Sequence, residues 1–168
     1  MHRLYLLRHA EAAWTRPGTG DFDRPLTLRG REDAARLGRH MRMTGLVPTF
    51  VLCSSAARAR ESWHVLSGEL AAADIETLHA PELYQGDTAE CLALIAAIPT
   101  PGPLLVVGHN PTMQHLCHLL ADSGTPEAMA AAGRGFAAGS LAVIEFTEPF
   151  SEIAPGKGRL SAFVPPGA

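Results

Sequence analysis

Two histidines and two arginines in this chain follow short apolar runs, and together they suit phosphoryl chemistry. Leu4-Tyr5-Leu6-Leu7 leads into Arg8-His9. Phe50-Val51-Leu52 leads through Cys53, Ser54 and Ser55 toward Arg58. Leu104-Leu105-Val106-Val107 leads into Gly108-His109-Asn110. A histidine side chain, with an unperturbed pKa of about 6.5, is substantially neutral at pH 7 and is an accepted covalent nucleophile. Neighbouring arginines disfavour its charged form by like-charge repulsion. Attack of His9 on phosphorus would pass through a phosphohistidine and split one hard displacement into two. Arginine's planar fork can meet two phosphoryl oxygens, which suits Arg8 and Arg58, and Arg58 also sits where a helix N-terminus would add partial positive charge. His109, if protonated, could neutralise charge in the transition state, and Gly108 permits a close backbone approach. Taken singly, Arg8-His9 also reads as a strand cap, Arg58 as a salt-bridge partner and His109 as a lone capping histidine. Three such independent alternatives would have to hold at once to remove the joint site.

These residues need elements that bring them together. Short continuous apolar runs bounded by turn signals read as strands buried on both faces, and ligands in open parallel sheets sit beyond the carboxyl ends of the strands. Between the runs the periodicity turns helical. Thr27 can cap a helix with Ala34, Leu37, Gly38 and Met41 on one face, ended by Gly45 and Pro48. A second helix spans about 58–70 with Trp63, Leu66 and Leu70 inward. Asp87 and Glu90 have capping-box spacing before Cys91, Leu94, Ile95 and Ile98. Asn110-Pro111 opens a helix with Met113, Leu116, Cys117 and Leu120 inward. Residues 75–78 form a short strand candidate. Residues 140–146 read as a strand at a sheet edge, and 160–164 as a final strand. The Ala- and Gly-rich stretch 124–139 has no clear period and reads mostly as loop, with a helical turn around 127–131. Alternating strands and helices predict a single α/β domain over 1–168 with a mostly parallel sheet.

The bulk numbers narrow the classes. With 168 residues, 46% hydrophobic and 18% charged, the chain reads as a soluble globular domain. A formal net charge of −3 argues against nucleic acid as a partner, so affinity for an anion must come from a local cluster. No apolar run approaches the ~20 residues of a membrane span, and the four apolar residues between Arg3 and Arg8 are too few for a secretory signal. The expectation is therefore a cytoplasmic protein without a membrane partner. Cys53, Cys91 and Cys117 share no CxxC spacing and read as small buried hydrophobes, Cys53 with the least support.

The segments Leu6-Leu7-Arg8-His9-Ala10-Glu11 with Trp14, Asp23-Arg24-Pro25-Leu26-Thr27 with Gly30, SSAARARES over 54–62, and Gly108-His109-Asn110 occur in this order along the chain. They resemble the histidine phosphatase superfamily, the phosphoglycerate-mutase-like proteins. The resemblance implies a three-layer α/β/α sandwich, His9 as nucleophile, Arg8, Arg58 and His109 completing a phosphate pocket, and no metal or organic cofactor. Ala10 stands where glycine is usual in the family. The resemblance also implies a glutamate acid between the second arginine and the second histidine. Glu82, in Pro81-Glu82-Leu83-Tyr84-Gln85-Gly86, lies in that region and reads equally as a solvated loop carboxylate.

The chain is short and lacks the long insertions that cover the site in mutases and acid phosphatases. In length and motif wording it looks most like the compact SixA-type phosphohistidine phosphatases. A phosphorylated protein is thus the expected substrate, with a small phosphomonoester as the alternative. A non-catalytic phosphate-binding module and a mutase are the rival readings. His115 and His118, at i and i+3, could in principle join His109 around a metal, but a solvated helix face explains them. Trp14 either lines the pocket mouth or packs its loop.

Overall fold

The computed structural model describes residues 1–72 and 74–168. Its strands are β1 (His2–Arg8), β2 (Phe50–Ser54), β3 (Glu76–Ala80), β4 (Leu104–Gly108), β5 (Ala121–Gly124), β6 (Leu141–Phe146) and β7 (Gly158–Val164). The helices are α1 (Leu28–Thr44), α2 (Ala57–Leu70), α3 (Glu82–Gln85), α4 (Thr88–Ala97), α5 (Thr112–Leu120) and α6 (Pro126–Gly133). Two short 3-10 turns span Asp21–Asp23 and Phe150–Glu152.

The seven strands form one sheet in the order β3-β2-β4-β1-β6-β7-β5. Every strand but β6 runs in the same direction. Successive side chains of a strand point to opposite faces, and the apolar runs divide accordingly. Tyr5, Leu7, Val51, Cys53, Leu105 and Val107 pack with Leu37 and Met41 of α1 and Trp63, Leu66 and Leu70 of α2. Leu4, Leu6, Leu52, Leu104 and Val106 pack on the other side with α4, α5 and α6. Both faces are covered, which is why the central runs are continuously apolar. This is the expected three-layer α/β/α sandwich.

The helix caps follow the sequence. The Thr27 side chain accepts from the Gly30 N–H, Gly45 ends α1 at φ 73°, and Asp87 and Glu90 cap each other's backbone in a full capping box. The helix after Pro111 begins at Thr112 rather than at Pro111, and Asn110 Oδ1 instead accepts from the Gln114 N–H at 3.3 Å.

Two expectations are corrected. β6 is not an edge strand: it lies between β1 and β7, antiparallel to both, and five of its six residues are buried. Its neighbour β1 lies at the other end of the sequence, and β7, the strand that follows it in the chain, covers its outer side. The stretch 124–139 is also more ordered than a loop. It contains the end of β5 and the two-turn helix α6, capped by Thr125, with Ala128 and Ala132 buried. Alanine methyls give little hydrophobic contrast, so the helical period is weak in the sequence.

Gly30 shows how tightly α1 seats against the segment after β1. A Cβ at Gly30 would stand 2.1 Å from the Glu11 carbonyl oxygen, and both groups are backbone. The same carbonyl accepts from the Thr27 N–H at 3.0 Å. Gly30→Ala is expected to lower stability by about 1–3 kcal/mol, as overpacking does, with a matching fall in the urea unfolding midpoint.

Candidate active site

β1 and β4 are adjacent and parallel, in a register that pairs Arg8 with Gly108. The residues immediately beyond, His9 and His109, therefore leave the sheet side by side, about one strand spacing apart. Their ring centroids lie 5.1 Å apart. β2 flanks β4 on its other side, with Cys53 opposite Val107. Ser54 thus falls beside His109, and the chain turns through Ser55 and Ala56 into the first turn of α2, which carries Arg58. His9, Arg58 and His109 are 8%, 7% and 9% exposed.

The hydrogen bonds set the protonation of His9. Its Nδ1 lies 2.8 Å from the Ala10 carbonyl oxygen, which can only accept, so Nδ1 carries the proton. Nε2 is then left with a lone pair, and Arg58 Nε–H donates to it at 3.2 Å. Burial first, and then repulsion from His109, Arg58 and Arg8, lowers the pKa of His9 to about 3, against the opposing effect of the Ala10 bond. His9 is therefore a neutral imidazole with a defined nucleophilic nitrogen.

Around this ring the backbone is fixed. His9 N–H donates to the Gly108 carbonyl at 3.0 Å, and Arg8 N–H to the Ser140 carbonyl at 3.1 Å. Gly139, in the left-handed region at φ 87°, turns its N–H onto the carbonyls of Arg8 and His9. Ser62 accepts from the Ala10 N–H at 2.9 Å and donates to the Arg58 carbonyl at 2.7 Å, joining the two sides of the site. Ala10 is 2% exposed beside Leu26 and Ala34, so its methyl is accommodated where the family usually has glycine.

His109 is held by Ser54. Its Nε2 lies 2.7 Å from Ser54 Oγ, while its Nδ1 is buried with no partner among the described residues. Ser54 Oγ also accepts from the Ala56 N–H at 3.3 Å. A Ser54 hydroxyl that donates to Nε2 leaves Nδ1–H as a free donor. Burial, then Arg58, lowers the His109 pKa to about 4, and Asp21 opposes the shift. The ring is thus neutral here rather than protonated. Arg8 donates through Nη1 to the Phe136 carbonyl at 2.9 Å, a carbonyl that Asn110 shares at 3.0 Å. Arg8 Nε is buried and unpartnered.

The structure thus brings Arg8, His9, Arg58 and His109 together, while Glu82 makes no bond to them. Glu82 begins α3, is exposed, and has no side-chain hydrogen bond or ion pair with the four. Tyr84, two residues on, reaches the site instead. Its ring meets His109 edge-on at 5.6 Å, and Arg58 lies 5.7 Å from the ring centre. Tyr84 O–H donates at 2.7 Å to Asp21 Oδ2, which also accepts from Arg58 Nη2 at 3.2 Å. Neither Asp21 nor Tyr84 was singled out from the sequence, since no spacing signals a loop side chain folded back over a strand end. Ser62 had a signal, because it lies four residues after Arg58 on the same helix face.

The other candidates stay outside. Cys53, Cys91 and Cys117 are buried free thiols, with burial pushing their pKa up to about 12, 12 and 11. His115 and His118 lie exposed on α5, and Trp14 is 88% exposed. Among the described residues no group of three or more His, Cys, Asp or Glu stands where it could hold a metal ion. No helix of the described residues is long and apolar enough to cross a membrane.

Comparison with known proteins agrees with this geometry. Residues 4–84 match the model of the histidine phosphatase superfamily, branch 1. The SixA protein of Nakamurella multipartitia is 32% identical, with 99% of this chain and 97% of that one covered and a TM-score of 0.83. The chain belongs to the histidine phosphatase superfamily. The SixA protein of Agrobacterium tumefaciens is also 32% identical, with 98% and 97% covered and a TM-score of 0.83. An uncharacterized protein of Mycobacterium tuberculosis is 32% identical over 94% of this chain and 98% of its own. This member of the superfamily is SixA-like along its whole length.

The depressed histidines make a prediction about stability. An unfolded chain protonates His9 and His109 near their ordinary pKa of 6.5, whereas the folded protein takes those protons only near about 3 and about 4. The unfolded state therefore binds more protons in between. Stability is full above pH 6.5 and falls as pH drops through that window. Urea unfolding between pH 7.5 and 4.5 should show this decline, and His9→Asn should make it shallower.

Proposed function

We propose that this protein is a phosphatase that works through a phosphohistidine intermediate on His9, and that its substrate is a phosphohistidine on a protein. The observation that carries the mechanism is the pair of buried nitrogens without a partner among the described residues, His109 Nδ1 and Arg8 Nε, beside a histidine whose Nε2 turns its lone pair toward Arg58. A buried donor left unsatisfied costs about 1–3 kcal/mol. A phosphoryl group between these donors would satisfy both. Arg58, now donating to His9 Nε2, would turn its guanidinium toward the phosphoryl oxygens as that nitrogen attacks.

In the first step His9 Nε2 forms a P–N bond as the bond from phosphorus to the leaving group breaks. Arg8, Arg58 and His109 hold the three equatorial oxygens. In the second step water attacks phosphorus, the P–N bond breaks, and inorganic phosphate leaves with His9 neutral again. The Ala10 carbonyl supports this cycle, because Nδ1 stays protonated while Nε2 carries the phosphoryl group. The SixA proteins of Nakamurella and Agrobacterium carry names that propose phosphohistidine phosphatase activity. An imidazole leaving group departs easily and can take its proton from solvent, so it needs little help from an acid. Glu82 is the candidate acid for poorer leaving groups.

The test is trapping and turnover together. Brief exposure to a labelled phosphodonor should give an acid-labile, base-stable adduct on His9, and His9→Ala should lose both the adduct and phosphate release. Binding of phosphate without any adduct would mark a binding module instead. Arg58→Ala should cut kcat by about 10²–10³-fold, the usual loss of one preorganised donor. Glu82→Gln should slow hydrolysis of an alkyl phosphate at least several-fold while sparing a phosphohistidine peptide. Equal rates of wild type and variant on both substrates would leave the leaving-group proton to solvent.

A further inference from the structure

We infer that Asp21 sets a charge preference at the mouth of this site, admitting phosphoryl donors whose leaving group is neutral or cationic and disfavouring those that carry a carboxylate. The inference rests on the phosphatase reading above and adds to it a class of leaving group.

His9, Arg58 and His109 are nearly sealed, whereas the Asp21 side chain is 50% exposed, so Asp21 borders the cluster on the solvent side. One guanidinium separates its carboxylate from the nucleophile: Arg58 gives Nε–H to His9 Nε2, Nη2–H to Asp21 Oδ2 at 3.2 Å and Nη1–H to the Asp21 carbonyl at 2.8 Å. Three donors fix the carboxylate in place. Tyr84 O–H and Arg58 hold Oδ2, and Arg24 holds Oδ1 at 3.0 Å. Tyr84 is itself wedged between Phe22, at 5.0 Å, and His109. These bonds keep Asp21 ionised, with its pKa near 2, Tyr84 contributing most and Arg24 next.

In-line attack sends the leaving group away from His9, outward through this mouth. The phosphoryl group is drawn in by Arg8 and Arg58, but whatever is attached to it must pass a fixed anion. A second carboxylate on the substrate is repelled there, whereas an ammonium or imidazolium is attracted. Arg24 beside it is already engaged by Asp21 and by the Ala13 carbonyl at 2.7 Å, so it is not free to pair with that second carboxylate. The site thus has cations for one anionic group and an anion where a second would lie.

A matched pair of two-carbon phosphate esters separates charge from size: O-phosphoethanolamine, with an ammonium, and phosphoglycolate, with a carboxylate. Wild type should have the higher kcat/KM on phosphoethanolamine, and rising ionic strength should shrink the ratio. Asp21→Asn should reduce the ratio about tenfold, the effect of one charge pair at short range in partly screened surroundings. Tyr84→Phe is the control: it loosens the carboxylate but keeps the charge, so it should slow both esters and hold the ratio within about twofold. A ratio unchanged in Asp21→Asn, with both esters still turned over, would overturn the charge preference and leave the phosphatase reading intact. No turnover of any phosphate compound and no His9 adduct would sink that reading and this inference with it.

Discussion

The parallel pairing of β1 with β4 is the constraint on which the site depends. Backbone hydrogen bonding fixes the register, and the register puts Arg8 opposite Gly108. The two histidines then lie at neighbouring strand ends at a separation that sheet geometry itself supplies. A slip of one residue would send every apolar side chain of β1 to the wrong face, so the buried sandwich enforces the same register that the chemistry requires. Core and site are thereby specified by one set of contacts.

Burial gives the site its character. Four basic groups gathered under a sealed strand end cannot all be charged. The two imidazoles are the ones left neutral. Repulsion and desolvation act in the same direction on His9 and His109. A neutral ring with its Nδ1 proton tied to the Ala10 carbonyl is a prepared nucleophile. The same burial costs stability below pH 6.5, so the acid sensitivity of the fold and the readiness of His9 have one physical cause. Asp21, ionised and half exposed, balances part of the positive charge from the rim.

Two stretches of chain line the solvent side of the site. The segment between β1 and α1, residues 9–27, carries a 3-10 turn over Asp21–Asp23, and the passage from β3 to α4 holds the short helix α3. These two pieces meet through the Tyr84–Asp21 bond and the Phe22–Tyr84 contact at one side of the pocket.

The sequence by itself determined the local elements and four of the site residues. Apolar runs of strand length end at Arg8-His9, near Arg58 and at His109, and strand ends are where an open sheet exposes functional groups. Helices α1, α2, α4 and α5 were legible because large apolar residues recur on one face, and α1 and α4 also carry polar caps at their predicted starts. Helix α6 was weak in the sequence because alanines carry almost no contrast, and the interior place of β6 was hidden because strand order depends on pairing with β1 at the other end of the chain. The tertiary structure alone decided the tautomer of His9, the Ser54 bond to His109 and the arrival of Asp21 and Tyr84. Each of these depends on where a loop folds back in space, and loop placement comes from long-range packing that leaves no periodic trace in the sequence.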